Sequence, residues 1–153
     1  MTRRASRYHD ISTGHRVVGH ENKCRHLHGH NYRIHFDCEA AELDSVGRVI
    51  DFGVIKEKLC NWVEDNWDHK FLAWEHDLML KTLFYHGVPG TLEFKDAKMF
   101  QESIVFVPFN PTAENMAEYL VKVVGPARLE GTGVTLVGVR IEETRKCSAS
   151  FSL

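Results

Sequence analysis

The residues best suited to chemistry lie in one short stretch of this 153-residue chain, between His15 and His30. Five histidines and one cysteine occur within these sixteen residues, and a glycine separates the last two histidines. Imidazole nitrogens and thiolates are ligands that zinc prefers in proteins. A thiol held close to a metal ion also ionises readily and can then act as a base or a nucleophile. The stretch therefore predicts a metal site with a reactive cysteine beside it.

Three of these histidines, His15, His28 and His30, form the candidate ligand set. From His28 to Ala40 apolar and polar residues alternate, which predicts a half-buried β-strand. His28 and His30 share the parity of the apolar residues, so both imidazoles should project towards the core side. Three neutral ligands are typical of a catalytic zinc ion with one open position, and they leave the ion its full charge. The alternative is a histidine-rich loop or a purely structural site.

Cys24 lies four residues before His28 and is the candidate proton abstractor. It could instead be a fourth zinc ligand, and the sequence leaves this alternative open. Among the other cysteines, Cys38 and Cys147 are predicted to be small buried residues and Cys60 to be inert. The chain has no C-x-x-C pair, which favours a reduced, cytoplasmic protein.

Four residues far from this stretch complete the candidate site. Asp68 and His69 are adjacent at the predicted end of a helix, where a carboxylate can orient an imidazole and raise its basicity. Most such pairs are nevertheless solvated surface. Glu143 continues the apolar face that Val137 and Val139 share on a predicted strand. Its carboxylate therefore needs a donor partner, such as the two donors of a guanidine-like ligand edge. Thr112 is the predicted N-cap of a helix and a candidate substrate-binding residue.

The elements that must position these residues follow the order β-β-α-α-β-β. The predicted elements are, in turn, strands at 7–18 and 28–40, a helix with Phe52 on its apolar stripe that ends near Trp67–His69, a helix from Thr112 onward, and strands at 134–143 and 147–153. This order indicates an α+β fold with two helices on one face of an antiparallel sheet. Segment 73–109, between the helices, contains an apolar run and a predicted short strand at 104–107. Extra packing or an oligomer contact is its expected role.

Length and composition predict one domain that spans residues 1–153 and argue against several classes of function. The net charge of −2 and the lack of a long basic run argue against nucleic-acid binding. No stretch approaches the length of a membrane span, and the N-terminal residues lack the apolar core of a signal peptide. We therefore expect a cytoplasmic protein that binds neither nucleic acid nor membrane.

Together, these motifs resemble those of the 6-pyruvoyl-tetrahydropterin and 6-carboxytetrahydropterin synthase family. The resemblance covers nearly the whole chain except segment 73–109. It rests on His15, Cys24–His30, Val49–Phe52, Asp68–His69, Asn110–Asn115 and Glu143–Thr144. It implies the tunnelling fold, in which β-β-α-α-β-β units join around a central channel in a homo-oligomer with active sites between subunits.

The resemblance also implies a role for each candidate residue. The three histidines would bind zinc, Cys24 would be the catalytic base, Asp68 and His69 would form a partner relay, and Glu143 would anchor a pterin ring. The implied substrate is 7,8-dihydroneopterin triphosphate. The implied partner is a second copy of the same chain.

The gap of three residues between Cys24 and His28 resembles that of the bacterial 6-carboxytetrahydropterin synthases of queuosine biosynthesis, which release acetaldehyde and triphosphate. The pyruvoyl-forming members usually have a longer gap and keep the two-carbon fragment, and they remain the alternative. A non-catalytic zinc- or pterin-binding module is a more distant alternative, against which Cys24 argues. Glu142 and Ala73 depart from the family pattern, which commonly has lysine and asparagine at these places.

Overall fold

A six-stranded mixed sheet organises the computed structural model of the protein, which describes residues 2–87 and 94–153. The strands are β1 (Arg4–His15), β2 (His28–Ala40), β3 (Phe71–Trp74), β4 (Ile104–Val107), β5 (Val134–Glu142) and β6 (Ser148–Ser152). Their order across the sheet is β4-β3-β1-β2-β5-β6. Strands β1, β2, β5 and β6 pair antiparallel. Strands β3 and β4 extend the sheet in parallel from the free side of β1.

Four helices accompany the sheet within the described ranges. They are α1 (Phe52–Ile55, Lys56–Cys60 and Asn61–Asn66 in succession), α2 (Leu78–His86), α3 (Phe94–Ser103) and α4 (Ala113–Tyr119, Leu120–Val124 and Gly125–Arg128 in succession). The middle segments of α1 and α4 are π-helical. Side chains cap the first turns: Asp51 accepts a hydrogen bond from the Gly53 amide, and Thr112 accepts one from the Asn115 amide. None of the described helices is long and apolar enough to cross a membrane.

The core lies between one face of the sheet and helices α1 and α4. Alternate residues of β2, namely Tyr32, Ile34, Phe36 and Cys38, have no exposed surface, as the alternation in the sequence predicts. Ile55, Leu59 and Val63 from α1 and Met116, Ala117 and Leu120 from α4 belong to the same buried cluster. Each fully buried side chain of this size contributes about 1.5–3 kcal/mol through the hydrophobic effect. The face of β2 that carries His28 and His30 is therefore fixed by the core.

The predicted α+β order and the strand at 104–107 are confirmed, but segment 73–109 holds more structure than the sequence indicates. It contributes the last two residues of β3, all of β4 and helices α2 and α3, which makes the sheet mixed rather than purely antiparallel. Residues 88–93 of this segment lie outside the described ranges.

Three local expectations were wrong. Val137 does not share the buried face of Val139, because the pairing of β5 with β2 shifts register there and Leu136 is buried instead. Cys147 is exposed rather than buried, since it lies in the turn before β6. Phe52, predicted on the apolar stripe of α1, is 58% exposed at the first turn.

The opposite face of the β1–β2 pair is polar and paired across the strands. Arg4 binds Glu39 at 2.6 Å, Arg33 binds Asp10 at 2.8 Å, and the Ser12 hydroxyl donates to Asn31 at 2.7 Å. The two faces of the same strands thus have different functions: one builds the core and ends in the histidine cluster, and the other faces away from α1 and α4.

Candidate active site

Three imidazoles meet where β1 ends and β2 begins. The antiparallel register places His15 directly opposite His28, and His30 follows two residues later on the same face of β2. One ligand nitrogen from each of these residues lies within 4.8 Å of the others. Among the described residues, the group close enough to share a metal ion consists of these three histidines and does not include Cys24.

Backbone carbonyls fix the protonation of two of these rings. Nδ1 of His15 lies 2.6 Å from the carbonyl oxygen of Pro111, and Nδ1 of His28 lies 2.7 Å from that of His26. A carbonyl oxygen only accepts, so Nδ1 carries a proton in each ring, and it is the neutral tautomer with a lone pair on Nε2 that this geometry favours. The two Nε2 atoms are 3.1 Å apart, close to the roughly 3.3 Å that separates neighbouring nitrogen ligands of a tetrahedral zinc ion.

The third ring has a buried nitrogen without a hydrogen bond. Within the described part of the chain, Nε2 of His30 is the buried side-chain atom that lacks such a partner, and its nearest carboxylate oxygen, Oε1 of Glu143, is 3.4 Å away. An unsatisfied buried polar atom costs about 1–3 kcal/mol. A cation held by all three rings removes this cost and separates the lone pairs of His15 and His28. The donor set therefore fits a metal ion.

Burial keeps the imidazoles in the form that binds metals. The pKa of His15 is lowered to about 4, mainly by burial; the hydrogen bond to the Pro111 carbonyl opposes this shift, and the neighbouring His28 and His30 add to it. Burial also lowers the pKa of His30, although Glu143 opposes the shift. Both rings are consequently neutral at pH 7, as metal coordination requires.

Tyr32 belongs to this cluster and was not among the residues singled out from the sequence. Its hydroxyl lies 3.2 Å from Nε2 of His15, and burial raises its pKa, so it stays neutral and can donate. The signal was present, because Tyr32 has the same parity as His28 and His30 on β2. Tyr32 is also a core residue, since it is fully buried.

A cavity of about 290 Å³ joins the histidine cluster to three other predicted site residues. His15, Cys24, Thr112 and Glu143 all line it. Two more lining residues, His20 and Cys147, were not predicted to belong to the site. The structure thus brings a thiol, a hydroxyl and a carboxylate to one cavity beside the three imidazoles.

Asp68 and His69 line a different and larger cavity of about 820 Å³. Glu143 is the one predicted site residue that lines both cavities. Within a single chain, the structure therefore does not bring the Asp68–His69 pair into the cavity of Cys24.

The Asp68–His69 pair is rigidly built although His69 is exposed. Oδ1 of Asp68 accepts from the Ser12 amide at 2.8 Å, and Oδ2 lies 2.7 Å from Nδ1 of His69. Burial alone would raise the pKa of Asp68, but the hydrogen bonds from Ser12 and His69 outweigh it and lower the pKa. The ionised carboxylate holds a proton on Nδ1, which leaves Nε2 free to exchange protons.

The backbone of His69 is strained. Its φ of 56° is in the left-handed region, and no other described residue except glycine has a positive φ. This conformation costs a non-glycine residue about 1–2 kcal/mol. The amide of His69 donates to the Ser12 carbonyl at 2.7 Å, which holds the conformation against β1. Strain that the surrounding structure maintains is common at functional sites.

Sequence comparison assigns the family. The model of the 6-pyruvoyl tetrahydropterin synthase family matches residues 4–153. The chain belongs to this family. One relative in the family, the 6-carboxy-5,6,7,8-tetrahydropterin synthase of Rickettsia bellii, is 31% identical over 138 residues, which cover 90% of this chain and 91% of the relative. A probable 6-carboxy-5,6,7,8-tetrahydropterin synthase of Halobacterium salinarum is 31% identical over 139 residues, 91% of this chain and 79% of the relative.

Solved structures confirm the fold of the family. An uncharacterised protein from Wolinella succinogenes aligns with a TM-score of 0.83 at 25% identity, over 99% of this chain and 98% of that one. The 6-pyruvoyl tetrahydropterin synthase of Caenorhabditis elegans aligns with a TM-score of 0.65 at 21% identity, over 100% of this chain and 96% of that one. The predicted tunnelling fold is thereby confirmed. So is the prediction of a lyase-type enzyme of this family.

Proposed function

We propose that this family member converts 7,8-dihydroneopterin triphosphate to 6-carboxy-5,6,7,8-tetrahydropterin, with release of acetaldehyde and triphosphate, as a zinc-dependent step of queuosine biosynthesis. One observation carries the proposal: three imidazoles converge close enough to share one ion, the buried Nε2 of His30 lacks a hydrogen-bond partner, and His15 lines a cavity together with Cys24 and Glu143. The names of the Rickettsia bellii and Halobacterium salinarum relatives and the short Cys24–His28 gap support the 6-carboxy product.

His15, His28 and His30 are the proposed ligands of the zinc ion. A zinc ion held by these three rings would supply Lewis acidity towards the oxygens of the substrate side chain. The carbonyls of Pro111 and His26 keep two of the rings oriented for this task. Cys24 lines the cavity without joining the compact ligand group, which favours the role of base over that of fourth ligand.

Three residues that line the cavity, Cys24, Glu143 and Thr112, have separate proposed roles. Cys24 is the base that removes a proton from the substrate side chain. The Glu143 carboxylate accepts two hydrogen bonds from the guanidine-like edge of the pterin. The Thr112 hydroxyl already accepts from the Asn115 amide, so its own hydrogen is free to bind the ligand.

We propose that Asp68 and His69 act in the site of a neighbouring subunit, in a homo-oligomer of single-domain chains spanning residues 1–153. The side chain of His69 is 81% exposed and does not line the cavity of Cys24, so a partner surface can complete its surroundings. Asp68 orients the imidazole, and Nε2 of His69 returns a proton to the substrate. The four cysteines are all free, which agrees with a cytoplasmic location.

A product assay tests the proposal. Zinc-loaded protein is incubated with 7,8-dihydroneopterin triphosphate, and acetaldehyde, triphosphate and the pterin product are quantified by mass spectrometry. Equal amounts of acetaldehyde and triphosphate are expected. Triphosphate without acetaldehyde would instead identify a 6-pyruvoyl-tetrahydropterin synthase. Release of neither compound, with tight pterin binding, would identify a binding module. The Cys24→Ala protein serves as the control for uncatalysed loss of triphosphate.

A further inference from the structure

The loop that carries Cys24, residues 16–27, has little hydrophobic anchorage of its own. Its one helical turn, Lys23–Arg25, contains no buried residue. The Val17 amide donates to the Cys24 carbonyl at 2.7 Å, which closes the loop across its base. A loop with few buried apolar contacts moves unless polar contacts hold it. Its position therefore depends on hydrogen bonds to the rest of the fold.

Arg16 makes three hydrogen bonds with one guanidinium group, two to the rest of the fold and one within the loop. Nε donates to Oδ2 of Asp77 at 2.6 Å, and Nη2 donates to Oδ1 of Asp77 at 2.9 Å. Nη1 donates to the carbonyl of Arg25 at 3.2 Å. A rigid planar fork that binds a carboxylate with two donors and a carbonyl with a third fixes the distance between them. Arg16 thus ties the residue after Cys24 to Asp77.

Asp77 is a firm anchor because it is buried and bound on both its backbone and its side chain. It is 1% exposed, and its amide donates to the carbonyl of Trp74, the last residue of β3. Its carboxylate also caps α2 by accepting from the Leu80 amide at 3.2 Å. Burial alone would raise the pKa of Asp77, but the bonds from Arg16 and Leu80 lower it, so the group is ionised at neutral pH. A buried carboxylate of this kind needs its cationic partner.

Asn110 holds the other side of the same loop. Its side-chain oxygen accepts from the Val18 amide at 3.0 Å, and its side-chain nitrogen donates to the Val18 carbonyl at 2.9 Å. The loop is therefore held from two directions, by Asn110 ahead of α4 and by Asp77 ahead of α2. Of these two anchors, Asp77 lies in segment 73–109, which had no chemical role in the sequence analysis.

We infer that Arg16 and Asp77 are positioning residues for the thiol of Cys24, and that segment 73–109 contributes to the reaction by supplying Asp77. The inference rests on the proposed role of Cys24. Arg16 directly follows His15 on the chain and hydrogen-bonds the residue after Cys24, so one side chain couples the metal-binding strand to the loop of the base. Displacing a reacting group by about 1 Å lowers turnover by roughly 100-fold.

Two substitutions test the inference because each removes a different part of the contact. Arg16→Lys keeps the charge beside Asp77, but its single ammonium lacks the planar fork that reaches the Arg25 carbonyl as well. Asp77→Asn keeps one oxygen to cap α2 and removes the charge that binds Arg16. We expect kcat to fall about 10- to 100-fold in both variants, with KM changed less than about 3-fold. Zinc content should stay at the wild-type level.

A second measurement reports the accessibility of Cys24 in the loop and does not depend on turnover. The rate at which iodoacetamide alkylates Cys24 is measured by peptide mass spectrometry at a temperature well below the unfolding midpoint. Release of the loop should raise this rate several-fold in both variants, because Cys24 is only partly exposed in the wild-type fold. Unchanged alkylation and unchanged kcat, with a lower melting temperature alone, would show that the contact is merely structural.

Asp51→Asn is the matched control. Asp51 also caps a helix, through the Gly53 amide at 2.7 Å, and also binds an arginine, Arg48, at 2.8 Å, but it touches neither the loop nor the cavity. It should leave kcat and Cys24 alkylation unchanged. The proposed function fails independently if Cys24→Ala is fully active. In that case the alkylation rates alone decide whether Arg16 and Asp77 hold the loop.

Discussion

The two histidine-bearing regions of this family member are built in opposite ways. His15 is 1% exposed at the end of the core face, and its cluster is oriented by carbonyls of the same chain. His69 has an 81% exposed side chain and a strained backbone, and one carboxylate orients it. In the first region, one chain supplies all three of the proposed metal ligands. The second region is rigid, but the imidazole of His69 is largely exposed to solvent. It therefore suits a site that a second subunit completes.

Removing one imidazole from the buried region should have the largest effect. We expect His28→Ala to lose the metal and to lower turnover by roughly 10⁴-fold, because several kcal/mol of charge stabilisation disappears. Metal content by mass spectrometry and kcat with the triphosphate substrate measure the two losses. His86→Ala, at the exposed C-terminal end of α2, is the control. Stoichiometric zinc in His28→Ala would contradict the ligand assignment.

Replacing the thiol should separate chemistry from metal binding. Cys24→Ala should keep its zinc and lower kcat by roughly 10³-fold, within the range of a lost general base. The same two measurements apply, with zinc content as the internal control. If the variant loses its zinc, Cys24 is a fourth ligand and the base must be sought elsewhere.

A smaller loss is expected from the exposed region. His69→Ala should lower kcat by roughly 100-fold and leave zinc content unchanged, since the imidazole moves a proton but does not hold the ion. Asp68→Asn should show a weaker version of the same defect, because it removes the charge that orients the ring. Steady-state kinetics on both variants measure the effect, and wild-type kcat in His69→Ala would exclude the relay.

Mixing variants tests whether the two regions act across a subunit boundary. Refolding equal amounts of His28→Ala and His69→Ala together produces some sites that combine an intact metal half with an intact relay half. Random pairing predicts recovery of about one quarter of wild-type activity, although each parent alone is expected to retain about 1% or less. Activity that stays at the level of the parents would indicate that both halves of a site come from the same chain.

The smallest expected effect is on stability and concerns Asp77. Its folded-state pKa is lowered, so its contribution is present above the unfolded value of about 3.9 and is lost as the pH falls through the folded value. At pH 7, Asp77→Asn should be less stable than wild type by about 1–3 kcal/mol. The difference should shrink below about pH 4. Thermal unfolding across this pH range measures it, and a difference that is independent of pH would exclude the ion pair as its source.

The sequence predicts those parts of the fold where a regular pattern and burial agree. The bounds of β2, the end of α1 and the Thr112 cap follow from alternation, helical periodicity and capping chemistry. The cluster of His15, His28 and His30 was predictable because strand parity places His28 and His30 on the core side and antiparallel pairing supplies His15.

Features that depend on contacts between distant residues were not predictable. The Arg16–Asp77 bond joins positions 61 residues apart, and nothing in the local pattern around Asp77 marks it as buried. The register shift at Val137 reverses parity within an otherwise regular strand. The division of the site residues between two cavities also depends on the curvature of the sheet, which alternation does not encode. Contacts between residues that are distant in the sequence leave no mark on the local pattern.

The left-handed backbone at His69 has a consequence for how this chain can evolve. Glycine adopts such a φ without strain, and asparagine adopts it more readily than histidine. A population selected only for heat resistance should therefore replace His69 by glycine or asparagine and gain up to about 1 kcal/mol while losing the imidazole. Retention of histidine there under combined selection for stability and turnover would identify position 69 as a point where stability and activity conflict.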